Sequence, residues 1–168
     1  EWRGAINQQT DAEGLYKLVD KKSISLYCGI DPTGDSMHIG HLIPIKIMKR
    51  FQLAGHQPVI LIGGGTGAIG DPSGRTTERV LQTTEQVKHN ADSLTAQMKK
   101  LFGEDRSFTM MNNYDWLSKI SLLDFLRDYG KLFNINTMLA KDVVASRLET
   151  GISFTEFSYQ LLQSIDNK

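Results

Sequence analysis

The sequence predicts an α/β domain in which a parallel sheet is flanked by helices. Two observations carry this. Short apolar runs of strand length recur along the chain, and helical stretches separate them. The runs are Ser23 to Ile30, Pro58 to Ile62 and Ser107 to Met111. Crossovers in such a sheet are right-handed in nearly all cases, and ligands collect beyond the carboxyl ends of the strands. The polar loops after Ile30 and Ile62 are therefore the first places to look for chemistry.

Residues 1–22 are polar, with a short helix expected near Asp11 to Val19. The run Ser23 to Ile30 ends at Asp31-Pro32-Thr33-Gly34, a strong turn signal. A helix over roughly His38 to Leu53 follows, with Gly55 just past its end. Pro44 lies inside it and is expected to irregularise its first turns. After the second strand comes a glycine-rich stretch, Gly63 to Gly74, read as a loop. Thr83 and Gln86 form a possible capping box for a long polar helix ending near Gly103. Beyond the third strand, Ser121 opens a helix expected to stop at Gly130. Another helix is expected around Asp142 to Leu148, and a last one starts at Ser153 with Glu156 completing a second capping box.

At 168 residues the chain can bury one real core. Its 19 Lys plus Arg balance 19 Asp plus Glu, which excludes an overall basic footprint for nucleic acid. Clusters such as Lys46, Lys49 and Arg50, or Lys99 and Lys100, read as solvated helix faces. A single cysteine, Cys28, excludes an intramolecular disulfide and fits a reducing, cytoplasmic setting. No apolar run approaches membrane-spanning length. The start, Glu1-Trp2-Arg3-Gly4, lacks signal-peptide character and an initiator Met, as a trimmed chain would.

Three constellations carry the chemistry. The first runs from Asp31 through Thr33 to His38-Ile39-Gly40-His41. Two histidines three apart share one side of a helix start, and that end favours anions. Gly40 leaves room for a flat group against the backbone. A nucleotide with phosphates near Thr33 and His38 suits this pattern. The competing reading is zinc held by Cys28, His38 and His41, but zinc normally takes four ligands and no other Cys or close His is available. Histidines merely packed at a helix start are the plainer alternative.

The second constellation is Gly63 to Gly74, which contains a literal GxGxxG from Gly65 to Gly70. A dinucleotide fingerprint needs its third glycine to run into a helix. Here Asp71-Pro72 follows and should break one, so NAD binding and a nicotinamide dehydrogenase are disfavoured. Asp71 is the one charge among these glycines and suits a ligand ammonium, although a turn-forming Asp before Pro is the bland alternative. The third constellation is Tyr159, Gln163 and Asp166, spaced to share one helix face. Phe154, Phe157, Leu161 and Ile165 fall mainly opposite and are expected to be core. The polar stripe gains meaning only if Asp71 and Tyr27 face it across a pocket.

Assembled in order, these segments resemble the tyrosyl-tRNA synthetases of bacterial type, members of the class I aminoacyl-tRNA synthetases. The resemblance runs from Trp2 to Asp166. It rests on Tyr27-Cys28-Gly29, His38-Ile39-Gly40-His41, Gly63 to Gly74 with Arg79, Asn112-Asn113-Tyr114-Asp115-Trp116, Phe125-Leu126-Arg127-Asp128, and Gly151 to Tyr159. It implies a Rossmann-like (HUP-type) sheet divided into an N-terminal helical segment (1–22), the first half of an ATP- and tyrosine-binding fold (23–112), and a helical connective segment with the tyrosine-pocket helix (113–168). It assigns the ATP site to Cys28, Gly29, Asp31, Thr33, His38, Gly40 and His41. Catalytic roles fall on Thr33, His38, His41, Arg75 and Arg79, the two arginines lying near the pyrophosphate.

The same resemblance gives tyrosine binding to Tyr27, Thr66, Asp71, Tyr159, Gln163 and Asp166. Tyr27 and Asp166 would take the phenol, and Asp71, Tyr159 and Gln163 the ammonium group. It implies ATP with Mg2+, L-tyrosine and tRNA(Tyr) as substrates or partners, with no resident metal. A homodimer is implied through Trp116 to Phe154, where Leu122, Phe125, Leu132, Phe133 and Phe154 serve interface or core. Family members continue into a Lys-Met-Ser-Lys-Ser-type loop and RNA-binding regions, which these 168 residues do not contain. The expectation is that this stretch alone binds tyrosine weakly and catalyses poorly. The rivals are the tryptophan enzyme, against which Tyr27 and Asp166 argue, and a module that only binds tyrosine or nucleotide.

Overall fold

The computed structural model describes residues 4, 6, 8–71, 80–103 and 107–166. Three parallel strands form one sheet in the order β1 (Ser25–Ile30), β2 (Gln57–Ile62), β3 (Thr109–Asn112). The register pairs Tyr27 with Val59 and Val59 with Thr109, which brings the three carboxyl ends level. Helix α1 (Ala12–Lys21) precedes the sheet, with Asp11 as N-cap accepting from the Gly14 N–H. Helix α2 (Ile39–Leu53) connects β1 to β2.

Helix α3 (Gly64–Ile69) follows β2, and α4 (Thr84–Phe102) leads to β3. Beyond β3 come α5 (Tyr114–Leu117), α6 (Leu122–Asp124), a π-helical turn at Phe125–Tyr129 and a 3-10 turn at Gly130–Leu132. Helices α7 (Ile135–Leu139), α8 (Asp142–Leu148) and α9 (Phe154–Ile165) complete the described chain.

The period-2 alternation of the strands sorts the core. Leu26, Cys28, Ile30, Ile60, Ile62 and Met110 face one way, against Ile45 and Met48 of α2 and Ala91, Leu94, Met98 and Phe102 of α4. Both crossover helices cover the same face, as right-handed connections require when strand order advances in one direction. The opposite face carries Tyr27, Val59, Leu61 and Met111. Together with Trp116, Ile120 and Ile165 these line a mainly apolar cavity of about 560 Å³.

Several expectations change. Pro44 does not disturb α2, which runs unbroken. Its missing donor costs only a bond to the carbonyl of exposed Gly40 near the helix start, where water can serve instead. The stretch after β2 is not all loop: residues 64–69 form α3, and Gly70 at φ +89° ends it. Gly130 does not stop its helix, because its φ of −53° is helical and the chain tightens into the 3-10 turn. Phe154 is not core; it is 75% exposed, whereas Leu161 and Ile165 are buried.

Candidate active site

The carboxyl ends of all three strands open onto one cavity of about 580 Å³. Its walls include Tyr27, Gly29, Asp31, Thr33, His38, His41, Thr66, Asp71, Tyr159, Gln163 and Asp166. Residues far apart in sequence thus meet, and the polar stripe of α9 does face Asp71 and Tyr27. Cys28 and Gly40 are not among the walls. Cys28 lies one residue out of phase with Tyr27, so it packs partly against the core, and burial pushes its thiol pKa up. Arg75 and Arg79 lie outside the described residues.

The loop after β1 is held from α4 and from Gln82, just before it. Asn90, 1% exposed, donates to the Pro32 carbonyl, and Gln82 donates to the Thr33 carbonyl. Gln97 donates to the Asp35 carbonyl and accepts from the Met37 N–H. A helix that reads as merely polar therefore spends its polar residues fixing this loop.

The histidines cap α2 reciprocally. His38 Nδ1 accepts from the Gly40 N–H at 3.1 Å, and His41 Nδ1 accepts from the His38 N–H at 3.1 Å. A side chain on Gly40 would collide with the His38 ring, so this glycine makes room for the cap. An acceptor Nδ1 leaves Nε2 as the N–H donor of each ring. The rings lie 4.0 Å apart, and the His41 pKa is lowered, first by burial and then by His38. Among the described residues no group of three or more His, Cys, Asp or Glu could hold a metal ion.

A polar chain crosses the cavity wall. Tyr159 donates its hydroxyl to Asp31 Oδ2 at 2.8 Å, and Thr66 donates to Asp31 Oδ1 at 2.6 Å. Burial first, then the Asp31 carboxylate, raises the Tyr159 pKa, so its hydroxyl stays protonated. A Cβ at Gly63 would fall on Asp31 Oδ1, so glycine there admits the carboxylate. Asn113, fully buried, donates to Thr66 Oγ1 at 3.1 Å and to Asp166 Oδ2 at 3.0 Å, while its Oδ1 accepts from the Gly65 N–H at 2.7 Å. The Trp116 indole N–H donates to Asp166 Oδ1 at 3.2 Å. Burial raises the Asp166 pKa, and these two bonds oppose the rise.

Asn113 and Trp116 carry roles that sequence reasoning did not assign. The signal was available: Asn112-Asn113 follows the third strand just as Asp31 and Gly63 follow the first two.

The arrangement offers three carboxylates, Asp31, Asp71 and Asp166, around one polar cavity, with histidine N–H donors at one end. It can hold an ammonium group and a hydroxyl donor while presenting N–H groups to an anion. The family model for "tRNA synthetases class I (W and Y)" matches residues 19–167. A Tyrosine--tRNA ligase of Latilactobacillus sakei is 78% identical over 98% of this chain and 39% of its own length. Tyrosine--tRNA ligase 1 of Enterococcus faecalis is 79% identical over 98% of this chain and 40% of its own.

A solved structure, a C-terminally truncated mitochondrial tyrosyl-tRNA synthetase of Aspergillus nidulans, superposes with a TM-score of 0.82 at 34% identity. That match covers 98% of this chain and 51% of the other. The tryptophanyl-tRNA synthetase of Plasmodium falciparum shares the fold, with a TM-score of 0.68 at 16% identity over 96% of this chain and 41% of the other. The chain spans about 40% of the length of the curated relatives it matches.

Proposed function

Because the chain belongs to the class I tRNA synthetases of the tryptophan and tyrosine type, we propose that the protein carrying it activates L-tyrosine with ATP and transfers the tyrosyl group to tRNA(Tyr). The observation that carries the tyrosine assignment is Asp166. Its carboxylate is held by two donors at the wall where the apolar cavity and the polar cavity meet, and Tyr27 lines both. A phenol ring suits the apolar side, and its hydroxyl finds Asp166 and Tyr27. Asp71, Tyr159 and Gln163 then hold the ammonium group. The close tyrosine relatives support the same reading.

In the proposed reaction the tyrosine carboxylate attacks the α-phosphorus of ATP, an O–P bond forms, and the bond to pyrophosphate breaks. Thr33 and the Nε2–H groups of His38 and His41 donate to the phosphates. Charge building on the transferring phosphoryl group is met by fixed donors rather than by covalent chemistry. Arg75 and Arg79 are proposed at the pyrophosphate. Mg2+ is expected to enter with ATP, carried by its phosphates. A tRNA hydroxyl then takes the tyrosyl group and releases AMP.

A homodimer through the Trp116 to Phe154 region fits the exposure of Leu122, Leu132 and Phe154, each above 70%. No described helix is long and apolar enough to cross a membrane; the cytoplasm, where tRNA is charged, is the proposed compartment. The test is ATP–pyrophosphate exchange by the full-length protein that carries this chain, with tyrosine, tryptophan or no amino acid. Exchange that requires tyrosine is expected. Dependence on tryptophan, or tyrosine binding with no exchange, would overturn the proposal.

A further inference from the structure

Glu156, Tyr159, Gln163 and Asp166 follow one another at spacings of three, four and three, so all four lie on one face of α9. The proposed function uses the last three. The first is buried in an ion pair: Glu156 Oε2 accepts from Arg147 Nη2 of α8 at 3.0 Å, with side-chain exposures of 1% and 6%. The same Nη2 donates to the Gly151 carbonyl at 3.2 Å. Gly151, at φ +93°, is the turn that joins α8 to α9. One guanidinium therefore ties α8, the turn and the first turn of α9.

This pair is a poor device for stability. Arg147 Nε and Nη1 are buried without hydrogen-bond partners among the described residues. Buried pairs with unmet donors can often be replaced by apolar residues at little cost. What such a pair supplies is direction. The α9 stripe has two further fixings: Tyr159 donates to Asp31, and Asp166 is held at the far end by Asn113 and Trp116. A cavity of about 440 Å³ lies between the α7–α8 region and α9, lined by Asp71, Glu156, Tyr159 and Gln163, while α3 packs on α9 beside it.

We infer that Arg147 is a positioning residue for the amino-acid site. Through Glu156 it sets the N-terminal half of α9 so that Tyr159 and Gln163 meet Asp71 at the ammonium group. It leaves the phenol end, held separately, unaffected. The inference rests on the proposed ammonium role of Tyr159 and Gln163.

In the full-length protein, the test replaces the pair by apolar residues, Arg147→Met with Glu156→Leu, alongside Gln163→Ala. Melting temperature, exchange kinetics and competitive inhibition are measured. Tyramine, which keeps the ammonium group, is compared with 3-(4-hydroxyphenyl)propanoate, which lacks it. The paired variant is expected to melt near the parent yet raise KM for tyrosine and Ki for tyramine about tenfold, short of the roughly 10²-fold that a misplacement of about 1 Å can cost. Ki for the propanoate, KM for ATP and the preference for Tyr over Phe should stay within about twofold of the parent, since uniform loss would mean general damage.

Parental KM and Ki in the paired variant, with Gln163→Ala still weakening tyramine, overturn the inference alone. If Gln163→Ala leaves tyramine untouched as well, the ammonium reading falls and takes this inference with it. A proportional loss of every parameter with folded protein assigns the pair to stability and also overturns it.

Discussion

Replacing Asp166 by Asn separates the chemistry of this site from its packing, because the two side chains have nearly the same shape. The carboxylate accepts from Asn113 Nδ2 at 3.0 Å and from Trp116 Nε1 at 3.2 Å. An amide can turn its oxygen to only one of these donors, so its NH2 must face the other. Asn113 is fully buried, and leaving one of its protons without an acceptor costs about 1–3 kcal/mol. Trp116 is partly exposed, and water can replace its partner. A stability loss of about 2 kcal/mol corresponds to a fall of about 4–8 °C in Tm for a chain of this size.

The effect on selection is of similar size. A hydrogen bond from the substrate phenol to a charged acceptor contributes about 1.5–3 kcal/mol, or roughly 10- to 150-fold. That is part of the roughly 10⁴–10⁵ by which a hydroxyl-reading site can reject phenylalanine, with Tyr27 supplying a further share. The assay is ATP–pyrophosphate exchange at varied tyrosine and phenylalanine, scored as the ratio of kcat/KM values. The expected result is a preference for tyrosine reduced roughly 10- to 150-fold, through loss of activity on tyrosine rather than gain on phenylalanine. A folded variant with the parental ratio would refute the placement of the phenol against Asp166.

Asp31→Asn leaves one of the Thr66 and Tyr159 hydroxyls without its acceptor. A buried hydroxyl without its partner costs about 1–3 kcal/mol, so Tm should fall by several degrees in thermal unfolding; an unchanged Tm would show that the contact at 2.8 Å does not hold Tyr159. For His41, a folded pKa below the ordinary 6.5 means that the folded chain binds fewer protons than the unfolded chain just below that pH. Its contribution to stability is therefore full above about pH 6.5 and is lost as pH falls through the lowered value. Denaturant unfolding of the parent and His41→Gln between pH 7.5 and 5 should show the parent losing more stability on acidification. Equal slopes would contradict the neutral, capping state, as would nitrogen-15 NMR showing the proton on Nδ1.

Much of this is legible along the chain, for identifiable reasons. Strand and helix positions follow from local periodicity and caps: Asp11, Thr83, Ser121 and Ser153 each accept a backbone N–H at the helix starts they announce. Spacings of four and three place Tyr159, Gln163 and Asp166 on one face of α9 by helical period alone. What misleads is local chemistry that context reverses. Residues 64–69 look like a loop by propensity, yet Asn112 and Asn113 accept the Gly64 and Gly65 N–H groups and so cap the start of α3 from the next strand end. A helix whose cap is supplied from 48 residues away leaves no mark in its own sequence.

By itself, then, the sequence determined the α/β class, the three strands and the polar turns that end the first two, because hydrophobic period and turn chemistry act over a few residues. Only the tertiary structure decided who holds whom. That Asp31 joins Thr66 to Tyr159, that Asn113 links Thr66 to Asp166, and that Arg147 reaches Glu156 are contacts set by how strands and helices pack. Such partners are chosen by burial, since a polar group removed from water must be matched by whichever complementary group the fold brings near.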